Sequence, residues 1–176
     1  MMLMKYDFVH RVKRNEQLFD LCTQAYVTAE ELYGSKEALG YMKYLFSRFL
    51  KPTYDEMRFV KGDPHSFAKT VGKRDAAVGL HVILHVAKNK IIYEFHDDPF
   101  PELKRIVDPR DFDATYMEFN IEYLLGNDWT YTTPVHIWEN EKFTRHIITR
   151  KQKRKIIPRT AVMARKPMQH ALSAVI

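Results

Sequence analysis

"VGLHVILHVAKNKIIYEFHDD", residues 78–98, decides the fold. Val78, Leu80, Val82, Leu84 and Val86 alternate with His81, Ile83 and His85. That period of two predicts a strand. Beyond Lys88-Asn89, Ile91, Tyr93 and Phe95 alternate with Lys90, Glu94 and His96. A two-residue loop at Lys88-Asn89 sets Val86 against Ile91, Leu84 against Tyr93 and Val82 against Phe95. One face of the predicted hairpin is then wholly apolar, and a slip by one residue would mix its faces.

Upstream the period is helical. In "NEQLFDLCTQAYVTAEELYG", residues 15–34, Leu18, Leu21, Cys22, Ala25, Tyr26, Ala29, Leu32 and Tyr33 recur at three and four. They form one stripe of an amphipathic helix, with Asn15 as N-cap and Gly34 as stop. Ser35 opens a second helix with Leu39, Met42, Phe46 and Phe49 on one face, ended by Pro52. Thr53 and Glu56 have capping-box spacing and open a short third helix ending near Gly62.

Downstream, "ATYMEFNIEYLL" (114–125) alternates and predicts a strand, with Thr115, Met117, Phe119, Ile121 and Tyr123 on one face. "YTTPVHIWENEKFTRHIITR" (131–150) predicts a hairpin turning near Asn140. "DDPFPELKRIVDPRDFD" (97–113) predicts a loop with a short helical turn. Helices at about 15–62 and strands at about 77–150 imply an α+β domain over residues 1–150. The sheet is expected to be an antiparallel β-meander.

The segment "VKRNEQLFDLCTQAYVTAEEL", residues 12–32, resembles the front half of a LysM repeat. Val12, Leu18, Leu21, Val27 and Leu32 fall at that family's apolar positions. Asn15-Glu16 replaces its usual Gly-Asp, and its Asn-rich closing half is missing. No glycan-binding residue carries over.

The hairpin register sets His81 across from His96, with Glu94 diagonal to both His81 and His85. Opposed strand side chains have Cβ atoms about 5 Å apart. His81, His96 and Glu94 are therefore the candidate catalytic residues, for acid–base work on a phosphodiester or metal-assisted hydrolysis. The plainer alternative is a polar strand face. His81 and His85 are about 13 Å apart along a strand and do not share a metal. Gly-rich phosphate loops, nucleophile elbows and EF-hand calcium loops are missing from the sequence, and neither cofactor nor metal is expected. The single cysteine, Cys22, excludes an intramolecular disulfide and suits a reducing compartment.

Charge is segregated. From Lys142 to Ile176 there are ten Lys or Arg and no Asp or Glu. The preceding residues carry 18 basic and 22 acidic groups. Residues 151–176 are expected to be an extended basic arm, since Pro158 and Pro167 exclude one long helix. Arg150, Lys151, Lys153, Arg154, Lys155, Arg159, Arg165 and Lys166 are its candidate nucleic-acid contacts. After Phe143 there is no Phe, Trp or Tyr. The arm is thus suited to phosphates rather than to base stacking.

The leading expectation is a non-catalytic structural subunit of a ribonucleoprotein or virion. Its partners would be other protein subunits, with nucleic acid or an acidic partner groove taking the arm. The alternatives are an enzyme centred on the His pair and a free regulatory nucleic-acid-binding protein. No apolar run approaches the roughly 20 residues of a membrane span. The expected location is intracellular or virus-encoded, neither secreted nor transmembrane.

Overall fold

The computed structural model describes residues 3–9 and 12–152. Lys153, Arg154, Lys155, Arg159, Arg165 and Lys166 lie outside the described residues. The fold is α+β. In chain order it comprises β1 (Met4–Phe8), α1 (Glu16–Tyr33), α2 (Ser35–Glu56), α3 (Pro64–Ala77), β2 (Val82–Ala87), β3 (Lys90–Phe95), α4 (Pro109–Leu124), β4 (Trp129–Val135) and β5 (Thr144–Arg150). Short 3-10 turns occupy Pro101–Arg105 and Ile137–Glu139.

The β2–β3 hairpin has the register its sequence dictates: Val86 faces Ile91, Leu84 faces Tyr93, and Val82 faces Phe95. All six are buried, each contributing roughly 1.5–3 kcal/mol as a core side chain. The hairpin at 131–150 also forms, and Asn140 makes its turn in the left-handed conformation (φ 67°).

Three expectations are corrected. Residues 114–125 are not a strand but belong almost entirely to α4. Asp108 caps that helix through Arg110 and Asp111 N–H, and Pro109 fits its first turn. Met117, Ile121 and Leu124 share its buried side. The apparent alternation arose because Glu118 and Glu122 are exposed on the opposite side. Secondly, Pro52 does not end α2, which runs to Glu56. Pro52 is exposed, so water can take the carbonyl that its missing N–H leaves free. The third helix starts later, with Asp63 accepting from His65 and Ser66 N–H. Thirdly, the sheet is antiparallel but not a meander: its order is β1-β2-β3-β5-β4. The α4 crossover carries the chain past β3, leaving that edge for β5. β4 becomes an edge strand, where Pro134 is tolerated at a register irregularity. β1, opposite β2, was not anticipated.

α3 and α4 pack on one sheet face, over the core that holds Leu84, Ile91, Tyr93 and Ile148, and α2 packs on both α4 and α1. Phe100 ties α1 to α4, meeting Phe112 at 5.0 Å and Phe19 at 5.5 Å between ring centroids. The stripe of α1 is rotated from its expected position. Phe19 and Thr23 are buried, whereas Leu21, Leu32 and Tyr33 are exposed. Among the described residues no helix is long and apolar enough to cross a membrane.

Candidate functional site

The sheet's second face carries no described helix. Strand alternation sends His81, Ile83 and His85 to it from β2, Ile92, Glu94 and His96 from β3, and Arg145 and Ile147 from β5. His81 and His96 stack at 5.0 Å between ring centroids with planes 28° apart. The His96 N–H donates to the His81 carbonyl (3.0 Å), continuing the hairpin ladder. Asp97 accepts the His81 N–H at 2.6 Å and pins the strand's start.

Each ring addresses its own carboxylate. His81 Nε2 lies 3.1 Å from Asp7 Oδ1, and His96 Nε2 lies 3.5 Å from Glu94 Oε2. Glu94 is in turn held by Arg145, with Nε at 2.8 Å and Nη2 at 2.7 Å from Oε1. The hydrogen bond and charge of Lys5 hold the Asp7 carboxyl below its usual range, with His81 adding to the effect. The sequence-predicted trio is thus brought together, and Asp7 and Arg145 join it through pairings the sequence did not disclose. Among the described residues no group of three or more His, Cys, Asp or Glu could hold a metal. His81 and His96 line neither the cavity between α4 and β4, nor that between α1, α2 and α3, nor the small one beside His136. Chemically, the cluster is a charged, half-buried surface patch.

A second group is buried inside. Asp113 of α4 lies between His136, whose Nε2 is 3.6 Å from Oδ2, and His146 of β5, whose Nδ1 is 4.0 Å away. Tyr116 donates to Asp113 Oδ1 (2.7 Å). Trp138 donates its backbone N–H to His136 Nδ1 and its indole N–H to Asp98, each at 3.0 Å. Burial pushes the His146 imidazole down to about 4, against the raising effect of Asp113, while the charge of His136 lowers it further. The adjoining cavity is about 20 Å³, room for one water at most. No substrate fits, and the group is a polar core. Sequence reading missed it because the strand assignment at 114–125 detached Asp113 from the helix that aims it.

The described start of the basic segment, Arg150 to Gln152, is held at a defined place. Arg150 N–H donates to Asn89 O (3.0 Å) in the β2–β3 turn. Lys151 N–H donates to Asp128 O (2.7 Å), and its amine donates to Asn127 O (2.8 Å). Arg150 Nη2 lies 3.8 Å from Asp128 Oδ2. Lys151 therefore straps the chain to the α4–β4 loop, which occupies one candidate phosphate contact. Lys90 is opposite Thr149, so Lys88, Lys90, Arg150 and Lys151 lie at this end of the sheet, where Asp128 pairs with Arg150 and where Glu118 and Glu122 line a cavity with Lys151. The opposite end carries Asp7, Glu94, Asp97 and Asp98, with Lys5 on Asp7, Arg145 on Glu94 and Arg14 on the Asp98 carbonyl. Lys88 and Lys90 were not anticipated as neighbours of the segment, because only the β3–β5 pairing brings them there.

Compared with models of protein families, with curated proteins and with solved structures, the chain matches none. The LysM resemblance gains no support. Val12, Leu21 and Leu32, three of its apolar positions, are exposed.

Proposed function

We propose that this chain is a non-catalytic subunit of a nucleic-acid-containing assembly, of the ribonucleoprotein or virion type. Residues 153–176 track the phosphate backbone, and the helix-free sheet face meets a protein neighbour. The observation that carries this reading is where the basic segment begins. Among the described residues the last member of the hydrophobic core is Ile148. Lys151 stands beside Lys88, Lys90 and Arg150, and the sequence beyond it continues with six further Lys or Arg and no acid. A run of like charges repels itself until counter-charges neutralise it, and phosphates do so with release of counterions. The face around Ile92 and Ile147 is half-buried in the isolated chain. It mixes apolar rows with paired charges, the composition of a non-obligate interface.

Lysine acetylation footprinting of the full chain tests the arm. With excess DNA or RNA duplex, Lys153, Lys155 and Lys166 are expected to lose reactivity, while exposed Lys36 and Lys69 on the helices keep theirs. Unchanged reactivity along 153–166 would refute the phosphate contact. Protection by an acidic protein but not by a duplex would redirect the arm to a partner groove.

A further inference from the structure

A cavity of about 330 Å³ lies between α1, α2, the end of α3 and β3. Phe19, Cys22, Phe46, Leu50, Phe95 and Phe100 wall it. Phe49 also lines it and is 52% exposed, so the cavity reaches the surface there. An apolar cavity of about 150 Å³ stays dry and takes benzene. This one has about twice that volume, which suits a bicyclic ring system.

One part of the wall is polar. Arg74 and Asp75 both line the cavity. Arg74 Nε lies 2.6 Å from Asp75 Oδ1 but is buried without a hydrogen bond of proper geometry. The guanidinium carbon stands 5.7 Å from the centroid of the Tyr54 ring, whose hydroxyl donates to Asn120 Oδ1 at 2.7 Å. Tyr93 donates its hydroxyl to Asp75 Oδ2. The carboxylate thus accepts from Tyr93 and faces the Arg74 charge, whereas the Nε–H, one of the guanidinium's five N–H donors, is buried without a hydrogen bond. The ion pair is neutral as a unit. A charged ligand beside it would bury an uncompensated charge, which is strongly disfavoured. A neutral acceptor would use the spare donor capacity without that penalty.

We infer that this cavity binds an uncharged, mainly apolar molecule of bicyclic size bearing one hydrogen-bond acceptor, a carbonyl or ether oxygen, directed at Arg74. Such a site has the usual make-up of a small-molecule pocket: apolar walls with a few placed polar groups. It stands independently of the arm.

Three probes separate the elements of this inference by calorimetry on the full chain. 2-Acetylnaphthalene supplies the ring and the acceptor, 2-ethylnaphthalene the ring alone, and 2-naphthoate the ring with a charge. One molecule of 2-acetylnaphthalene is expected to bind per chain, with the ethyl compound about tenfold weaker or more for want of a hydrogen bond to a charged donor, and naphthoate weaker than the ketone. The chain's single cysteine, Cys22, locates the site without mutation. Saturating 2-acetylnaphthalene should slow its modification by methyl methanethiosulfonate. Absence of binding, an unchanged Cys22 rate at saturation, equal affinity for the ketone and ethyl compounds, or preference for naphthoate would each overturn the inference.

Discussion

Raising salt from about 50 to about 200 mM should weaken binding of the full chain to a nucleic-acid duplex by about a thousandfold. Lys153, Arg154, Lys155, Arg159, Arg165 and Lys166, each neutralising one phosphate, give a slope of log affinity against log salt of about −5. Lys151 is left out of that sum because its amine is held by Asn127 O. Replacing all six with Gln should flatten the slope and weaken binding to every sequence alike. The arm has no aromatic side chain to stack on bases, so on this proposal it should contribute position rather than sequence preference. Titrations by fluorescence anisotropy across the salt range check this. A shallow slope that survives the Gln replacements would point to apolar contacts, with Ile156, Ile157 and the "ALSAVI" end as candidates.

The second large effect is acid sensitivity arising at His146. The folded protein holds this imidazole neutral down to pH about 4, whereas in the unfolded chain it takes up a proton below about 6.5. Its contribution is therefore fully present above pH about 6.5. It is lost as pH falls, at about 1.4 kcal/mol per unit, until the folded imidazole itself protonates near 4. The whole window amounts to about 3 kcal/mol. The physical cause is burial: His146 is 0% exposed, faces Tyr93 across the sheet and touches Thr133 at 2.9 Å. The nearby Asp113 offsets only part of the desolvation. Urea unfolding between pH about 7 and 4 measures the slope, and His146→Gln isolates it from the other histidines. The variant should lose less stability over this window than the natural chain. Identical slopes would mean that His146 protonates in place.

The sequence disclosed what strand alternation controls. Val82, Leu84 and Val86 against Ile91, Tyr93 and Phe95 specified the hairpin's register, and with it the stacking of His81 on His96. It also disclosed caps: Asn15 accepts from Leu18 N–H, and Gly34 follows the last residue of α1 at φ 89°. It misled where two periods coincided. Between 114 and 125, Met117, Phe119, Ile121 and Tyr123 alternate as a strand would, while Met117, Ile121 and Leu124 also line one side of a helix. The Asp108-Pro109 cap would have decided between them, since such a pair opens helices. Contacts made only by tertiary pairing were not legible. Asp7 reaches His81 through β1, Arg145 reaches Glu94 through the β3–β5 ladder, and Asp113 meets His136 and His146 from three separate segments. The Arg74–Asp75 pair looks like an ordinary solvated charge run in sequence. Only the packing of α3 on β2 and β3 buries it beside a cavity.

The most direct measurement of the central claim uses a chain ending at Gln152. Among the described residues every member of the hydrophobic core lies before that point, the last being Ile148, and Lys151 keeps its strap to Asn127 and Asp128. The shortened chain should retain the far-ultraviolet circular dichroism of the folded body and its cooperative unfolding transition. At about 0.15 M salt it should bind a duplex far more weakly than the full chain, by several orders of magnitude if all six phosphates are lost. A shortened chain that binds the duplex as tightly as the full one, or that no longer folds, would contradict the division into a self-sufficient body and a phosphate-tracking arm.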